Sequence, residues 1–232
     1  MKRKSDFTSL PLAARCTIVL FAVAGLAAAL YAVTFQPGFA PGRIILLLAL
    51  AAASARIKVN LFKGSTLSFL TCAVFVAVLQ EGPAVAILVG LCGVTVQALF
   101  PFKKIVLHRL AFNSGMIVLT VAASWWTHHA LVRTQATATM SAEVIATVLA
   151  SFTYFLGNSI SVSLIVALTK GMSLFQIWSR HFLFSAPSFL IAGLLALAAI
   201  AMVSSSSFLV LGALLIAISV AYYCSVRVTA RA

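Results

Sequence analysis

Polar side chains that could bind a small molecule are concentrated between residues 56 and 115, in a chain that is otherwise almost continuously apolar. Hydroxyl and amide groups donate and accept hydrogen bonds, and neighbouring basic side chains add positive charge. These residues suggest ligand recognition within an apolar bundle. The candidate pocket residues are Ser65, Thr66, Ser68, Gln97, Asn113 and Asn158, and the candidates for the pocket mouth are Arg56, Lys58 and Arg109.

The amides have two interpretations. Asn113 lies one helical turn after Arg109, so both side chains are expected on one helix face. An amide within hydrocarbon must face a polar partner rather than lipid. Asn113 and Asn158 are therefore either hydrogen-bonded to each other, joining two helices, or both in contact with a ligand, and Gln97 has the same two alternatives.

Groups that would carry catalysis are missing from the sequence pattern. There are three acidic residues, Asp6, Glu81 and Glu143. Glu81 precedes a Gly-Pro turn, where it is predicted to cap the following helix, and a cation or proton site is the alternative. The adjacent His128 and His129 lack the i, i+4 spacing of a metal-binding pair. We find no paired carboxylates, nucleophile–base pair or phosphate-binding glycine loop, so we expect no enzyme, no metal and no cofactor.

Composition identifies the elements that position these residues. Hydrophobic residues make up 63% of the 232, charged residues make up 8%, and the mean hydropathy is +1.15. These values predict an all-α membrane protein, a polytopic bundle of 6–8 transmembrane segments. A single membrane domain is expected over 13–226, between tails at 1–12 and 227–232. The apolar segments are 16–35, 44–55, 67–79, 84–102, 105–126, 144–169, 182–203 and 208–226.

Two of these segments, 44–55 and 67–79, are predicted to be short or re-entrant because a full span needs ~20 residues. Between them, residues 56–62 alternate polar and apolar side chains, which predicts extended chain. Irregular backbone at membrane depth is tolerated only when protein buries it or when it lines a cavity. The region therefore predicts either a binding pocket or a surface hairpin that meets anionic lipid.

The distribution of basic residues predicts the orientation. The formal net charge is +13, yet the basic residues are spread between apolar runs rather than gathered on one nucleic-acid-binding face. With a cytoplasmic N-terminus, all of them except Arg43 and Arg133 fall on the cytoplasmic side. We therefore expect a protein of the bacterial inner membrane with both termini cytoplasmic, in contact with membrane lipids and not with nucleic acid.

The segment 170–180 is too polar to cross a membrane. Met172, Phe175 and Trp178 recur at every third position, which predicts a short helix lying in the membrane interface. Phe175 and Trp178 are the candidates for binding a cytoplasmic partner from a signalling or transport system.

The order of several short motifs resembles a known family. Over about residues 44–226 the motifs occur in this order: Gly64-Ser-Thr-Leu-Ser-Phe, Glu81-Gly-Pro, Phe112-Asn113, Asn158 and Trp178-Ser-Arg. This order resembles the N-terminal membrane sensor module of bacterial HD-GYP phosphodiesterases and GGDEF diguanylate cyclases. More loosely, the size and number of spans are similar to the substrate-binding components of energy-coupling-factor transporters, which capture vitamins within a small helical bundle.

Both resemblances imply ligand recognition rather than catalysis. The sensor modules are followed by a cytoplasmic domain that makes or degrades cyclic di-GMP, whereas this sequence ends at Ala232. The leading hypothesis is thus a sensor-like, ligand-binding membrane module without its own output domain, taking a small amphipathic ligand. The alternatives are a small-molecule transporter or its substrate-binding subunit, and a membrane scaffold or assembly protein that binds a partner.

Overall fold

The computed structural model of the protein describes residues 7–55, 57–62, 65–100, 105–133 and 140–205. Within this part the chain is helical apart from one small hairpin, which confirms the predicted all-α membrane bundle. Arg56, the predicted span 208–226 and the tail 227–232 lie outside the described residues. The elements are α1 Leu12–Val33, α2 Pro41–Ser54, β1 Lys58–Phe62, β2 Ser65–Ser68, α3 Phe69–Gln80, α4 Pro83–Leu99, α5 Leu107–Arg133, α6 Met140–Lys170, α7 Leu174–His181 and α8 Ala186–Ser205.

Among the described residues, four stretches are long and apolar enough to cross a membrane: α1, α5, α6 and the stretch Leu174–Met202, which contains α7 and most of α8. Helix α1 is the least buried of them. Its apolar side chains Val19, Val23, Leu26 and Leu30 leave more than half of their surface exposed. An apolar helix face with this exposure is stable against acyl chains rather than water.

Among the described residues, α2, α3 and α4 are apolar helices of fewer than 18 residues, and α3 is the shortest of these three, with 12 residues. At 1.5 Å per residue it is about 18 Å long, well below the ~30 Å of a hydrocarbon core. Protein surrounds it instead of lipid: it packs against α2, α4 and α8, and Val74, Phe75 and Val78 are fully buried. The predicted short segments are confirmed, and enclosure by longer helices explains how α3 is tolerated.

The extended stretch predicted at 56–62 is confirmed over β1. Strands β1 and β2 pair antiparallel, with Lys58 opposite Ser68 and an irregularity between Asn60 and Phe62. The Phe69 amide donates to the Ile57 carbonyl at 3.4 Å, which closes the hairpin at the start of α3. Strand β2 lies against α8 and the 3₁₀ turn before it, Leu183–Ser185. The end of the bundle that holds these strands is called the hairpin end below.

Helix α5 occupies the centre of the bundle and packs against α1, α4 and α6. Its contact with α1 is a close backbone crossing at Gly25 and Gly115. A Cβ on Gly25 would lie 2.6 Å from the Cα of Gly115, and a Cβ on Gly115 would overlap the carbonyl of Phe21. Only glycine permits this approach, so the crossing depends on two positions that lack a side chain.

Helix α7 folds back along α6 after a turn at Gly171, where φ is +64°. The buried Ile177 packs inward, and the indole Nε1–H of Trp178 donates to the Ser159 hydroxyl of α6 at 3.0 Å. The Trp178 ring also lies 6.2 Å from that of Phe155, centroid to centroid. The short helix expected here is present, and it is anchored to α6 through one face.

Candidate functional site

The predicted pocket residues near the hairpin occupy its two strands. Lys58 lies on β1, Ser65 and Thr66 lie on β2, and the half-buried Ser68 lies where β2 meets α3. The hairpin thereby brings four of the nominated positions to one end of the bundle.

The predicted amides are not gathered at one point. Gln97 donates through Nε2 to the carbonyl of Ala55 at 2.7 Å, which ties α4 to the end of α2. Asn113 and Arg109 lie on an exposed face of α5, and Asn158 is half-buried on α6. In the described part of the chain, no hydrogen bond joins Asn113 to Asn158. Binding of a ligand by these amides stays a prediction.

The two nominated partner-binding residues differ in their surroundings. Trp178 is half-buried and its indole N–H is used within the bundle. Phe175 leaves 68% of its surface exposed. Of the two, Phe175 has most of its surface free of contacts within the bundle.

A set of polar contacts that sequence reasoning missed lies at the opposite end. Glu81 is buried at the α3–α4 turn, and its Oε1 is 3.0 Å from Nη1 of Arg43. Gln36 donates through Nε2 to the Glu81 carbonyl at 2.6 Å, and its Oε1 accepts from the Val85 amide at 3.3 Å. We call Gln36, Arg43 and Glu81 the latch, and this end of the bundle the latch end.

The latch corrects one prediction. The Glu81 carboxylate does not cap α4 but pairs with Arg43, and it is the Gln36 amide that accepts from the first turn of α4. Gly82 has a φ of +98°, and a Cβ there would lie 2.9 Å from Cδ of Pro37. The loop between α1 and α2 therefore rests directly on the α3–α4 turn.

Aromatic rings stand beside the latch. Phe35 contacts Trp126 edge-on, with ring centroids 4.7 Å apart, and Trp125 stacks on His129 at 4.4 Å. Tyr31 and Trp126 keep 58% and 38% of their surface exposed. Such rings suit the interfacial layer of a membrane or the face of a planar ligand.

His128 and Glu143 form a second polar contact at the latch end. The His128 Nε2 and Glu143 Oε2 atoms are 3.1 Å apart, and only 10% of the His128 side chain is exposed. The sequence placed both residues at or beyond the ends of the spans, but α5 continues to Arg133 and α6 begins at Met140. Both residues therefore lie within helices and face each other across the α5–α6 contact.

Comparison with solved structures identifies a protein that has the same fold as this chain. One solved structure, reported as "Structure and mechanism of the S component of a bacterial ECF transporter", matches 70% of this chain and 93% of its own, with a TM-score of 0.54 and 19% identity. The two chains share a fold. No protein-family model matches the sequence, and neither does any curated protein. This match supports the architecture implied by the looser resemblance, the one to substrate-binding components of energy-coupling-factor transporters. The resemblance to sensor modules of HD-GYP and GGDEF proteins gains no support.

Proposed function

We propose that the protein is the membrane-embedded substrate-binding subunit of a transporter and that it takes a small organic solute. The observation that carries the proposal is the fold likeness, because it extends over 93% of an S component. A helical bundle with an enclosed short helix and non-helical backbone between its spans is also typical of membrane proteins that bind a solute.

The solute site that we favour lies at the latch end. There the described structure brings together the largely exposed Arg43 side chain, whose Nη1 pairs with Glu81, and the partly exposed rings of Phe35 and Trp126. A guanidinium binds carboxylate or phosphate groups, and aromatic faces bind planar rings. The amide pocket predicted at the hairpin end is the alternative site, and the half-buried Asn158 is its best test residue.

The proposed location is the bacterial inner membrane, with both termini and the hairpin end in the cytoplasm. The support for this orientation is the charge distribution, since the described basic residues of the latch end are Arg43 and Arg133 alone. In this orientation the latch end faces outward, where an importer receives its solute.

Native mass spectrometry of the purified full chain with pooled metabolites tests solute binding. If the latch-end site is right, Trp126→Leu and Phe35→Leu weaken binding of the captured solute at least tenfold, while Asn158→Leu leaves it unchanged. Gln176→Ala, an exposed amide on α7, is the matched control. Binding that survives both aromatic variants but is lost in Asn158→Leu would place the solute at the hairpin end.

An uptake assay separates a transporter subunit from a sensor-like module. Cells that express the chain with an energising transporter complex should accumulate the captured solute, and cells that express either part alone should not. Solute binding without uptake in any combination would favour the sensor-like alternative.

A further inference from the structure

Helix α3 begins further inside the bundle than its neighbour α4 ends. Leu70 lies in the first turn of α3 and contacts α4 at Gly93, because a Cβ on Gly93 would overlap the Leu70 side chain. From Gly93, α4 continues to Leu99, which is about 9 Å further toward the hairpin end. The face of α4 that packs against α3 therefore loses this partner over its last turns.

Amide side chains occupy the α3-facing sides of α4 and α6 just past these contacts. On α4, Gln97 lies one turn beyond Gly93 and is exposed. On α6, the Tyr154 ring is 5.3 Å from that of Phe75 of α3, and Asn158, one turn further along the same face, is half-buried. The two amides belong to different helices, but both border the start of α3 and the space beneath it.

Helix α5 brings a third amide to the same level. A Cβ on Gly90 of α4 would lie 3.1 Å from the Ile117 side chain of α5, and the two helices run in opposite directions. Gln97 is two turns past Gly90, and Asn113 is one turn before Ile117, so Gln97 and Asn113 lie within about 5 Å of each other along the bundle axis.

Asn113 and Arg109 share a stripe of α5 that opens toward the hairpin end. Further in, this stripe faces α6, because a Cβ on Gly157 would lie 3.0 Å from the Thr120 hydroxyl oxygen. Asn113 is two turns before Thr120, Arg109 is one turn further out, and both are exposed. The buried cluster around Phe112 still joins α5 to α6. The contact between the helices thus moves to one side of the stripe and leaves its polar side chains open.

We propose that these three amides and Arg109 line a water-filled crevice that opens at the hairpin end and binds a phosphate group. Polar groups at membrane depth are stable when they line such a cavity. The two acidic residues of the described part, Glu81 and Glu143, lie at the latch end, so neither competes for Arg109. A guanidinium binds phosphate through two parallel hydrogen bonds, and amide N–H groups donate to the remaining oxygens. The crevice is a second site, and its test does not depend on the proposed transport function.

Labelling of single cysteines tests whether water fills the crevice. The full chain, with its native cysteines replaced by alanine, is studied in a maltoside detergent, which carries no phosphate. Asn158→Cys and Ser161→Cys, which share one face of α6, should react with a small charged methanethiosulfonate about tenfold faster than Ile160→Cys, because the reactive thiolate forms in water and not among acyl chains.

Ile160 is the matched control, since it is an exposed apolar residue of the same turn of α6. Ser161→Cys barely changes the side-chain volume, so it reports on the crevice even if Asn158→Cys impairs folding. If Ser161→Cys reacts as slowly as Ile160→Cys, the space is dry and the proposal is wrong.

Protection of Ser161→Cys from labelling tests phosphate binding. Inorganic phosphate should slow the reaction severalfold, relative to chloride of equal ionic strength, if the crevice takes a soluble phosphate. Phosphatidylglycerol added to the same detergent should slow it instead if the crevice takes a lipid head group. In either case Arg109→Gln should remove the protection, whereas Arg180→Gln, at an exposed arginine of α7, should keep it. Labelling that neither phosphate source slows, or protection that survives Arg109→Gln, would overturn the assignment.

Discussion

Gln36 is the residue that links the most distant parts of the latch end. Its side chain donates to the carbonyls of Gly38 and Glu81 and accepts from the Val85 amide, so one amide satisfies groups in two separate turns. The sequence marks Glu81 as unusual because acidic residues are so few, but it does not reveal the partners. Gln36 and Glu81 are 45 residues apart, and no local pattern connects them.

Gln36→Ala should lower the thermal midpoint by about 2 to 4 °C for each kcal/mol of lost hydrogen bonding. The reason is that it leaves the Glu81 carbonyl and the Val85 amide without this partner at a largely buried turn. Gln176→Ala serves as the control because Gln176 is exposed on α7. Equal midpoints for the two variants would mean that the Gln36 hydrogen bonds contribute nothing to stability.

Helix contacts in this bundle rely on small residues. Gly25 and Gly115 bring the backbones of α1 and α5 together, and Gly93 of α4 faces Leu70 of α3. The apolar runs predicted most helices to within a few residues, because hydropathy reports length directly. Hydropathy does not report which face meets which neighbour, so α5 as the central helix, the enclosure of α3 and the fold-back of α7 could not be predicted.

Gly115→Ala should destabilise the protein by about 1 to 3 kcal/mol, the usual cost of overpacking a tight contact. The new Cβ would overlap the backbone of Phe21 rather than a movable side chain. Unfolding in denaturing detergent measures the change. Gly42→Ala is the matched control, because a Cβ on Gly42 meets nothing within 4 Å; a Gly115→Ala protein as stable as this control would contradict the close crossing.

At the scale of the whole molecule, the two ends of the bundle differ in chemistry. Both acidic residues in the described part, Glu81 and Glu143, lie at the latch end, each next to a basic or imidazole partner. The hairpin end carries Arg15, Arg109, Lys170 and Arg180. Counting charges along the sequence predicted this asymmetry, whereas the pairing of each acid required the three-dimensional path of α5, α6 and the α1–α2 loop.

Thiol labelling tests the orientation. In a variant whose native cysteines are replaced by alanine, Phe39→Cys at the latch end should react with a membrane-impermeant maleimide in intact spheroplasts. Lys170→Cys at the hairpin end should react only after permeabilisation, and both positions are exposed. The opposite pattern would reverse the proposed orientation and place the latch in the cytoplasm.

The latch also bears on how the chain is assembled in the bilayer. Helix α2 has 14 residues, a length of about 21 Å, and carries Arg43 in its first turn. It is therefore a poor candidate for inserting into the membrane independently of other helices. Its charge partner and the helices that bury Leu47 and Ala51 are synthesised later. A nascent chain that stops before Glu81 would thus expose α2 without its ion-pair partner. We therefore expect α2 to pack stably in the bilayer only after the α3–α4 turn has been synthesised.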